Sequence, residues 1–336
     1  MRKLPLAGAA AAATIAISIW LLPSRGMLLV GNVNIQPWLL PGVMTLALAE
    51  GVALSLRGTD YDWKAWFASS CDAMVRQLIG FIPLSLVAPL FALAWQHRIY
   101  TVHLGPWWSF ALLLLGQEFC YYWLHRASHR IRWFWASHAV HHSPNDYTLA
   151  AAYRLGWTSK LSGEAIFNAP LMWLGFRPEI VMATLSFNLL YQFWLHTELV
   201  PRLGWLEWVF NTPSHHRVHH ACNPDYLDRN FGGTLIIFDR LFGTFADERP
   251  ELPCRYGLVK RLTSYNPGLI AVHEWWAMAR DVGSAKTWRQ RLGHLVGPPG
   301  WSAVEADAIT DQTVPVAADQ PGFNALQTTT AEASPC

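Results

Sequence analysis

Apolar residues gather in long runs along the first third of the chain. Residues 4–22, 38–56, 78–95 and 107–124 each approach the roughly 20 mostly apolar residues a helix needs to cross a bilayer. A fifth apolar stretch, 164–196, is interrupted at Gly175-Phe176-Arg177-Pro178, and each half is short for a full crossing. It is expected to form a helical hairpin that dips into the membrane and returns to the side it left. Beyond residue 205 polar positions become frequent, and Asn223-Pro224-Asp225-Tyr226 and Asn230-Phe231-Gly232-Gly233 mark turns. The run Leu235-Ile236-Ile237-Phe238 fits a strand or a buried helical turn, and periodicity does not decide between them. Residues 267–281 have the spacing of an amphipathic helix. Residues 303–336 carry few large apolar side chains and are expected to be disordered.

The predicted fold is therefore an all-α membrane protein. It has about four transmembrane helices, a membrane-dipping helical hairpin and a cytosolic helical cap. Residues 1–104 form the N-terminal membrane helices, 105–300 the main domain and 301–336 a tail. Basic residues set the orientation: Arg2, Lys3, Arg57, Lys64 and Arg76 fall on one side, and Arg25 and Arg98 on the other. The positive-inside rule then puts the N-terminus in the cytoplasm, and four crossings return the chain there at His125. The first run also resembles a signal peptide. Its Ala- and Gly-rich part, Ala7 to Ala13, precedes the Ile-rich part, whereas a cleavage site follows the apolar region. We therefore expect an uncleaved anchor in a multi-pass membrane protein.

Composition agrees with lipid surroundings. Of 336 residues, 52% are hydrophobic and 14% charged, where about 25% charged is usual. Nineteen Trp suit membrane interfaces. A formal charge of +2 without a basic tract argues against nucleic acid. The five cysteines are scattered and no CxxC occurs, which argues against a disulfide framework, an iron–sulfur site and a zinc finger.

The chemistry lies in the histidines. Ten of the fourteen fall between residues 125 and 220. Nine of those form three clusters: His125 with His129; His138 with His141 and His142; His215 and His216 with His219 and His220. Positions i, i+3 and i+4 share one helical face, so each cluster can aim two or three imidazoles at one spot. Imidazole suits Fe, Zn and Cu. So many nitrogens exceed the needs of a single tetrahedral ion and point to two metals. A pH-sensing histidine cluster is the main rival to metal binding. Isolated His97, His103, His273 and His294 take the ordinary structural role. Two zinc ions would hydrolyse a bond, and two irons would activate O2. The sequence His273-Glu274 opens like a zinc-protease motif, but Ala277 stands where its second His belongs.

His-x3-His, His-x2-His-His and His-x2-His-His, in that order around apolar helices, resemble the fatty acid hydroxylase/sterol desaturase superfamily. The segments Trp135–Ser143, Asn211–His220 and Asp239–Phe245 are similar to its bacterial sterol-desaturase-like branch. Tyr191–Thr197 and Asn266-Pro267 with His273-Glu274-Trp275 are similar to that branch and to the alkylglycerol monooxygenases. The resemblance covers about residues 105–300. It implies a membrane-bound, O2-dependent non-haem di-iron enzyme, a lipid hydroxylase or desaturase, in a bacterial inner membrane with its histidines on the cytoplasmic side. The lipid would be a fatty acyl chain, sterol, sphingolipid or ether lipid.

Carried over residue by residue, the resemblance implies His125, His129, His138, His141, His142, His196, His216, His219 and His220 as metal ligands. They would hold two Fe ions, or zinc in the protein as purified. His215, Gln192, Asp228, Asn230 and Glu118 are candidates for holding the ligands in place. Asp146 and Asn223 follow the boxes and either orient imidazoles or cap turns. In the alkylglycerol branch a Glu follows the first box, and here Arg130 stands there. No His-Pro-Gly-Gly haem motif or Rossmann glycine signature appears, so separate electron-donor proteins are expected beside the lipid and O2. A di-zinc lipid hydrolase and a membrane metal-binding or transport protein are the alternatives.

Overall fold

The computed structural model describes residues 29–30, 33–34, 36–82 and 85–302. The first apolar run, the 303–336 tail and the basic residues Arg2, Lys3 and Arg25 lie outside them. The described residues are helical, apart from a two-residue antiparallel ladder (β1, Leu29–Val30; β2, Val33–Asn34) and two isolated bridges.

Helix α1 (Gln36–Leu56) carries the second apolar run. Among the described residues it is the one helix long and apolar enough to cross a membrane, over Leu39–Leu56. Helix α2 (Trp63–Gly80) starts at Asp62, whose carboxylate accepts the Lys64 and Ala65 N–H groups at 3.0 Å, an N-cap that satisfies two otherwise free donors. The expected span 78–95 is not one helix. It divides between the end of α2 and the nine-residue α3 (Ala88–Gln96). Helix α4 (Trp107–Arg130) has the length for a crossing, but Gln117 and Glu118 interrupt its apolar character.

At Ile131 the backbone becomes extended, and α5 (Arg132–His142) turns away from α4. Two single-turn helices follow, α6 (Leu149–Ala152) and α7 (Ser159–Ser162). The hairpin region begins with a 3-10 turn at Glu164–Asn168 and continues as α8 (Ala169–Leu174) and α9 (Pro178–Phe193). The break falls at Gly175, as expected. Its φ is +119°, and a Cβ there would lie 2.1 Å from the Tyr100 carbonyl oxygen. Only Gly meets both demands. Pro178 then starts α9 where its missing N–H costs nothing.

Helix α10 (Pro213–His220) likewise opens on a proline, and α11 spans Ile237–Phe242. The undecided run 235–238 is therefore neither alternative alone. Leu235 bridges Phe210, and Ile237 starts the helix. The expected amphipathic helix is α12 (Pro267–Ser284), followed by α13 (Trp288–Val296).

Two of the apolar clusters join the longer helices to the short ones. Met44 and Ala47 of α1 pack with Trp66 of α2 and with Ala150 and Tyr153. Leu113 and Cys120 of α4 pack with Leu171, Met172, Phe176 and Val181. Helix α12 braces α5: Arg132 pairs with Glu274 at 3.1 Å and Asp281 at 2.7 Å. The outer faces of α4 and α9 remain apolar and exposed, with Trp107 81% and Phe187 60% exposed. An apolar surface of that kind marks contact with a membrane or partner.

Candidate metal centre

The nine histidines from separate stretches of sequence come together in two adjoining groups. One holds His125, His129, His138, His142 and His219, and the other His141, His196, His216 and His220. Within each group a ring nitrogen from every member lies within 4.8 Å of the others. Helix geometry explains the split. Consecutive residues on a helix diverge by about 100°, so His141 and His142 face different groups, as do His219 and His220. Each His-x2-His-His cluster therefore serves both groups rather than one spot. The rings of His142 and His220 stack at 4.3 Å, one from each group.

Backbone carbonyls set the rings. The Nδ1–H groups of His125, His141, His196 and His219 donate to the carbonyls of Phe231 (2.9 Å), Arg154 (3.2 Å), Gln192 (2.8 Å) and Arg229 (2.9 Å). A carbonyl can only accept, so the proton sits on Nδ1 and Nε2 keeps a bare lone pair. Those lone pairs point inward. His196 Nε2 lies 3.3 Å from His141 Nε2 and 3.1 Å from both His216 Nε2 and His220 Nε2. In the other group His138 Nε2 lies 3.1 Å from His125 Nε2 and 3.2 Å from His142 Nε2.

A cation fits this arrangement. Two nitrogens each about 2.0–2.1 Å from one ion sit roughly 2.9–3.4 Å apart at right-angled to tetrahedral bond angles. The Nε2 atoms of His129 and His219 are buried with no protein partner, a costly state unless something binds them. Burial, reinforced by neighbouring imidazoles, holds His138, His142 and His220 well below the usual histidine range. It pushes His141 down to about 4. Neutral imidazoles are the form that ligates metal.

The other candidates occupy supporting places. Asp228 faces His129 Nδ1 at 3.7 Å and pairs with Arg130. Gln192 holds His196 through its backbone carbonyl. Its side chain accepts from the Tyr121 hydroxyl (3.0 Å) and donates to Asn188 (2.7 Å). Glu118 accepts from Asn188 (2.6 Å) and from the Thr234 and Leu235 N–H groups (2.9 and 3.0 Å). It thus ties α4 to α9 and to the loop after α10 without touching a ligand ring. Asn230 braces the same loop through His215 O and Ala246 O. Asn223 caps a turn, accepting from Arg255 N–H at 2.8 Å, and Asp146 lies apart, beside Tyr147. His215 is fully buried against Phe245 and joins neither group. Its ring makes no hydrogen bond to any of the nine. His97, His103, His273 and His294 also stay outside both groups.

The sequence reading passed over Asp239, which is fully buried. Its carboxylate accepts the Phe231 and Gly232 N–H groups, each at 2.7 Å, and the Thr244 hydroxyl at 2.7 Å. It thereby fixes the carbonyl that orients His125. Gly233 lets the loop approach α9, since a Cβ there would fall 2.2 Å from Asn188 Nδ2. Tyr147, also overlooked, stacks on His196 at 5.6 Å. An acid in a turn has no spacing that marks it out, although Asp239 lay inside a segment already noticed as family-like.

A cavity of about 400 Å³ opens onto both groups. His125 and His138 border it from one group and His141 and His196 from the other, while Phe91, Leu124, Met182, Leu185 and Leu189 supply apolar wall.

Comparison with known proteins agrees with this geometry. The model of the fatty acid hydroxylase family matches residues 110–244. The chain is 40% identical over 199 residues to an alkylglycerol monooxygenase of Xenopus tropicalis, covering 58% of this chain and 44% of that protein. It is 37% identical over 211 residues to the alkylglycerol monooxygenase of Homo sapiens, covering 62% and 46%. It is 30% identical over 151 residues to an ornithine lipid hydroxylase of Rhizobium tropici, covering 44% and 46%. The chain thus spans about half the length of these relatives. No solved structure matches it. Histidine spacing, the family match over residues 110–244 and these relatives together support a likeness to the fatty acid hydroxylase/sterol desaturase superfamily.

Proposed function

We propose that this protein is a membrane-bound, O2-dependent lipid hydroxylase whose nine clustered histidines hold two iron ions. The observation that carries the reading is the pair of inward-facing imidazole groups, both of which border one cavity with a partly apolar wall. His125, His129, His138, His142 and His219 would hold one ion, and His141, His196, His216 and His220 the other. Bound there, the pair supplies O2 activation and attack on an unactivated C–H bond, chemistry beyond any side chain.

The chain's own residues do the positioning. Carbonyls of Phe231, Arg154, Gln192 and Arg229 keep each Nδ1 protonated and each Nε2 bare. The Asp228 carboxylate, 3.7 Å from His129 Nδ1, favours the same tautomer by its charge. Phe91, Leu124, Leu185 and Leu189 exclude water and seat an alkyl chain, each buried CH2 contributing about 0.8 kcal/mol. Apolar exposed faces on α4 and α9 support a membrane setting in which lipid enters sideways, and the basic residues Arg57, Lys64 and Arg76 favour a cytoplasmic side for the histidines. Relatives named as monooxygenases and hydroxylases favour hydroxylation over desaturation. Electrons would come from separate donor proteins.

The test is O2 consumption by the purified, iron-loaded and reduced protein. A long-chain lipid should stimulate it, and a short soluble analogue should not. Equal turnover of a small water-soluble compound would refute the lipid reading.

A further inference from the structure

The cavity has a charged wall that oxidation of a hydrocarbon does not require. Arg76 on α2 lines it, and so does Lys160 on α7. The Lys160 ammonium donates to the Gly80 carbonyl at 2.9 Å. Gly80 lies one helical turn beyond Arg76, so both cations gather at the C-terminal end of α2. Glu164 is the one carboxylate in the wall against them.

Arg76 is partly buried, and its guanidinium has no hydrogen bond or ion pair within reach among the described residues. Two carboxylates bear on it, Asp72 on its own helix and Glu164 across the cavity. Asp72 is already engaged by the Leu155 and Gly156 N–H groups, at 3.1 and 3.4 Å, and faces Arg154. Arg76 thus borders the cavity with its planar fork of N–H donors uncommitted, a group whose shape matches a carboxylate or phosphate.

The surroundings point to a lipid as the source of that anion. Leu78, Phe81, Ile82 and Leu86, on and just after the same end of α2, are exposed apolar residues. Cations beside an exposed apolar rim mark the depth at which a membrane protein meets headgroups.

We propose that Arg76 and Lys160 form a headgroup site, and that the preferred substrate is a long-chain lipid with an anionic phosphate or carboxylate group. This rests on the lipid reading of the cavity and narrows it to one class. The alkyl chain occupies the apolar wall between α3 and α9 while the anion engages the guanidinium fork.

The experiment measures binding, by displacement of a fluorescent alkyl probe from the full chain in nonionic micelles. Hexadecyl phosphate should bind about tenfold tighter than hexadecylglycerol, the gain expected of a charge-assisted hydrogen-bonded pair. In Arg76→Gln that preference should collapse while hexadecylglycerol binding is unchanged. In Arg76→Lys, a point charge without the fork, part of it should return. Inorganic phosphate alone should not displace the probe.

Equal binding of the two lipids by the wild type would overturn the site, as would a full preference surviving in Arg76→Gln. Displacement by inorganic phosphate at hexadecyl phosphate concentrations would overturn the lipid source. If Arg76→Gln fails to fold, Lys160→Gln at the exposed rim decides the question: an undiminished preference there would count against the pair. Binding is read without turnover, so failure to oxidise any lipid would sink the proposed reaction and leave this site standing.

Discussion

His141 Nε2 and His196 Nε2 face each other across 3.3 Å, and each ring has already committed its proton to a backbone carbonyl. Two lone pairs at that distance repel in a buried setting, and a cation between them turns repulsion into two bonds. Metal should therefore stabilise this fold. Adding iron(II) or zinc to chelated protein should raise its melting temperature, by about 2.7 kcal/mol of stability when free metal exceeds its dissociation constant a hundredfold. Thermal denaturation with and without metal checks this, and an unchanged transition would argue against a metal between these rings.

The division into two groups predicts separable losses. His142→Ala removes a ligand from the group of five, and His220→Ala one from the group of four. Metal analysis of loaded wild type should give about two ions per chain, given nine imidazole ligands. Either variant should fall toward one and lose turnover. His215→Ala should keep both, since its ring joins neither group. One ion at full occupancy in the wild type would contradict a dinuclear centre.

Asp239 predicts a defect transmitted through backbone. In Asp239→Ala the Phe231 and Gly232 N–H groups lose their acceptor in a buried place, which costs about 1–3 kcal/mol for each group left unpaired. The carbonyl that orients His125 is then free to move. Metal retention should drop although no ligand has changed, and Asp239→Asn should restore part of it. Dialysis against a weak chelator reads the difference; wild-type retention in Asp239→Ala would show that the loop needs no such anchor.

Acid should weaken the metal-free protein. Burial holds His141 at about 4 against an ordinary 6.5, and lowers His138, His142 and His220 in the same direction. Across that window the unfolded chain binds more protons than the folded one, so stability rises with pH and falls as pH drops from about 6.5 toward 4. Melting of chelated protein should come earlier at about pH 5.5 than at about pH 7. A transition that is flat or moves upward on acidification would contradict neutral, buried imidazoles.

The cavity predicts a variant that separates binding from the metal. Leu185→Trp and Leu189→Trp place a larger ring in the apolar wall. Metal content should stay at the wild-type level while long-chain lipid turnover falls severalfold, since overpacking such a wall costs about 1–3 kcal/mol. Lipid turnover equal to wild type in both variants would move the substrate elsewhere.

Which histidines gather was legible because helical spacing survives folding. His138, His141 and His142 reach the centre on one short helix, as the i, i+3, i+4 pattern requires. The pattern did not reveal that the neighbours His141 and His142 part company, because shared-face reasoning ignores the angle between consecutive residues. The carbonyls of Phe231, Arg229 and Arg154 left no trace in the sequence, since any residue supplies one. Apolar runs were read too simply. The 78–95 run contains the end of one helix and most of another, and hydropathy alone does not see that α2 ends at Gly80. The break at Gly175 was visible because a positive φ there demands a residue without Cβ.

The most direct test of the central claim is the fate of molecular oxygen. The iron-loaded, reduced protein would be given a long-chain lipid under O2 enriched in the heavy isotope, and the lipid products read by mass spectrometry. The account predicts a hydroxylated lipid carrying one heavy oxygen atom from O2. A lipid that is cleaved with oxygen drawn from water, or recovered unchanged while the metal remains bound, would contradict it.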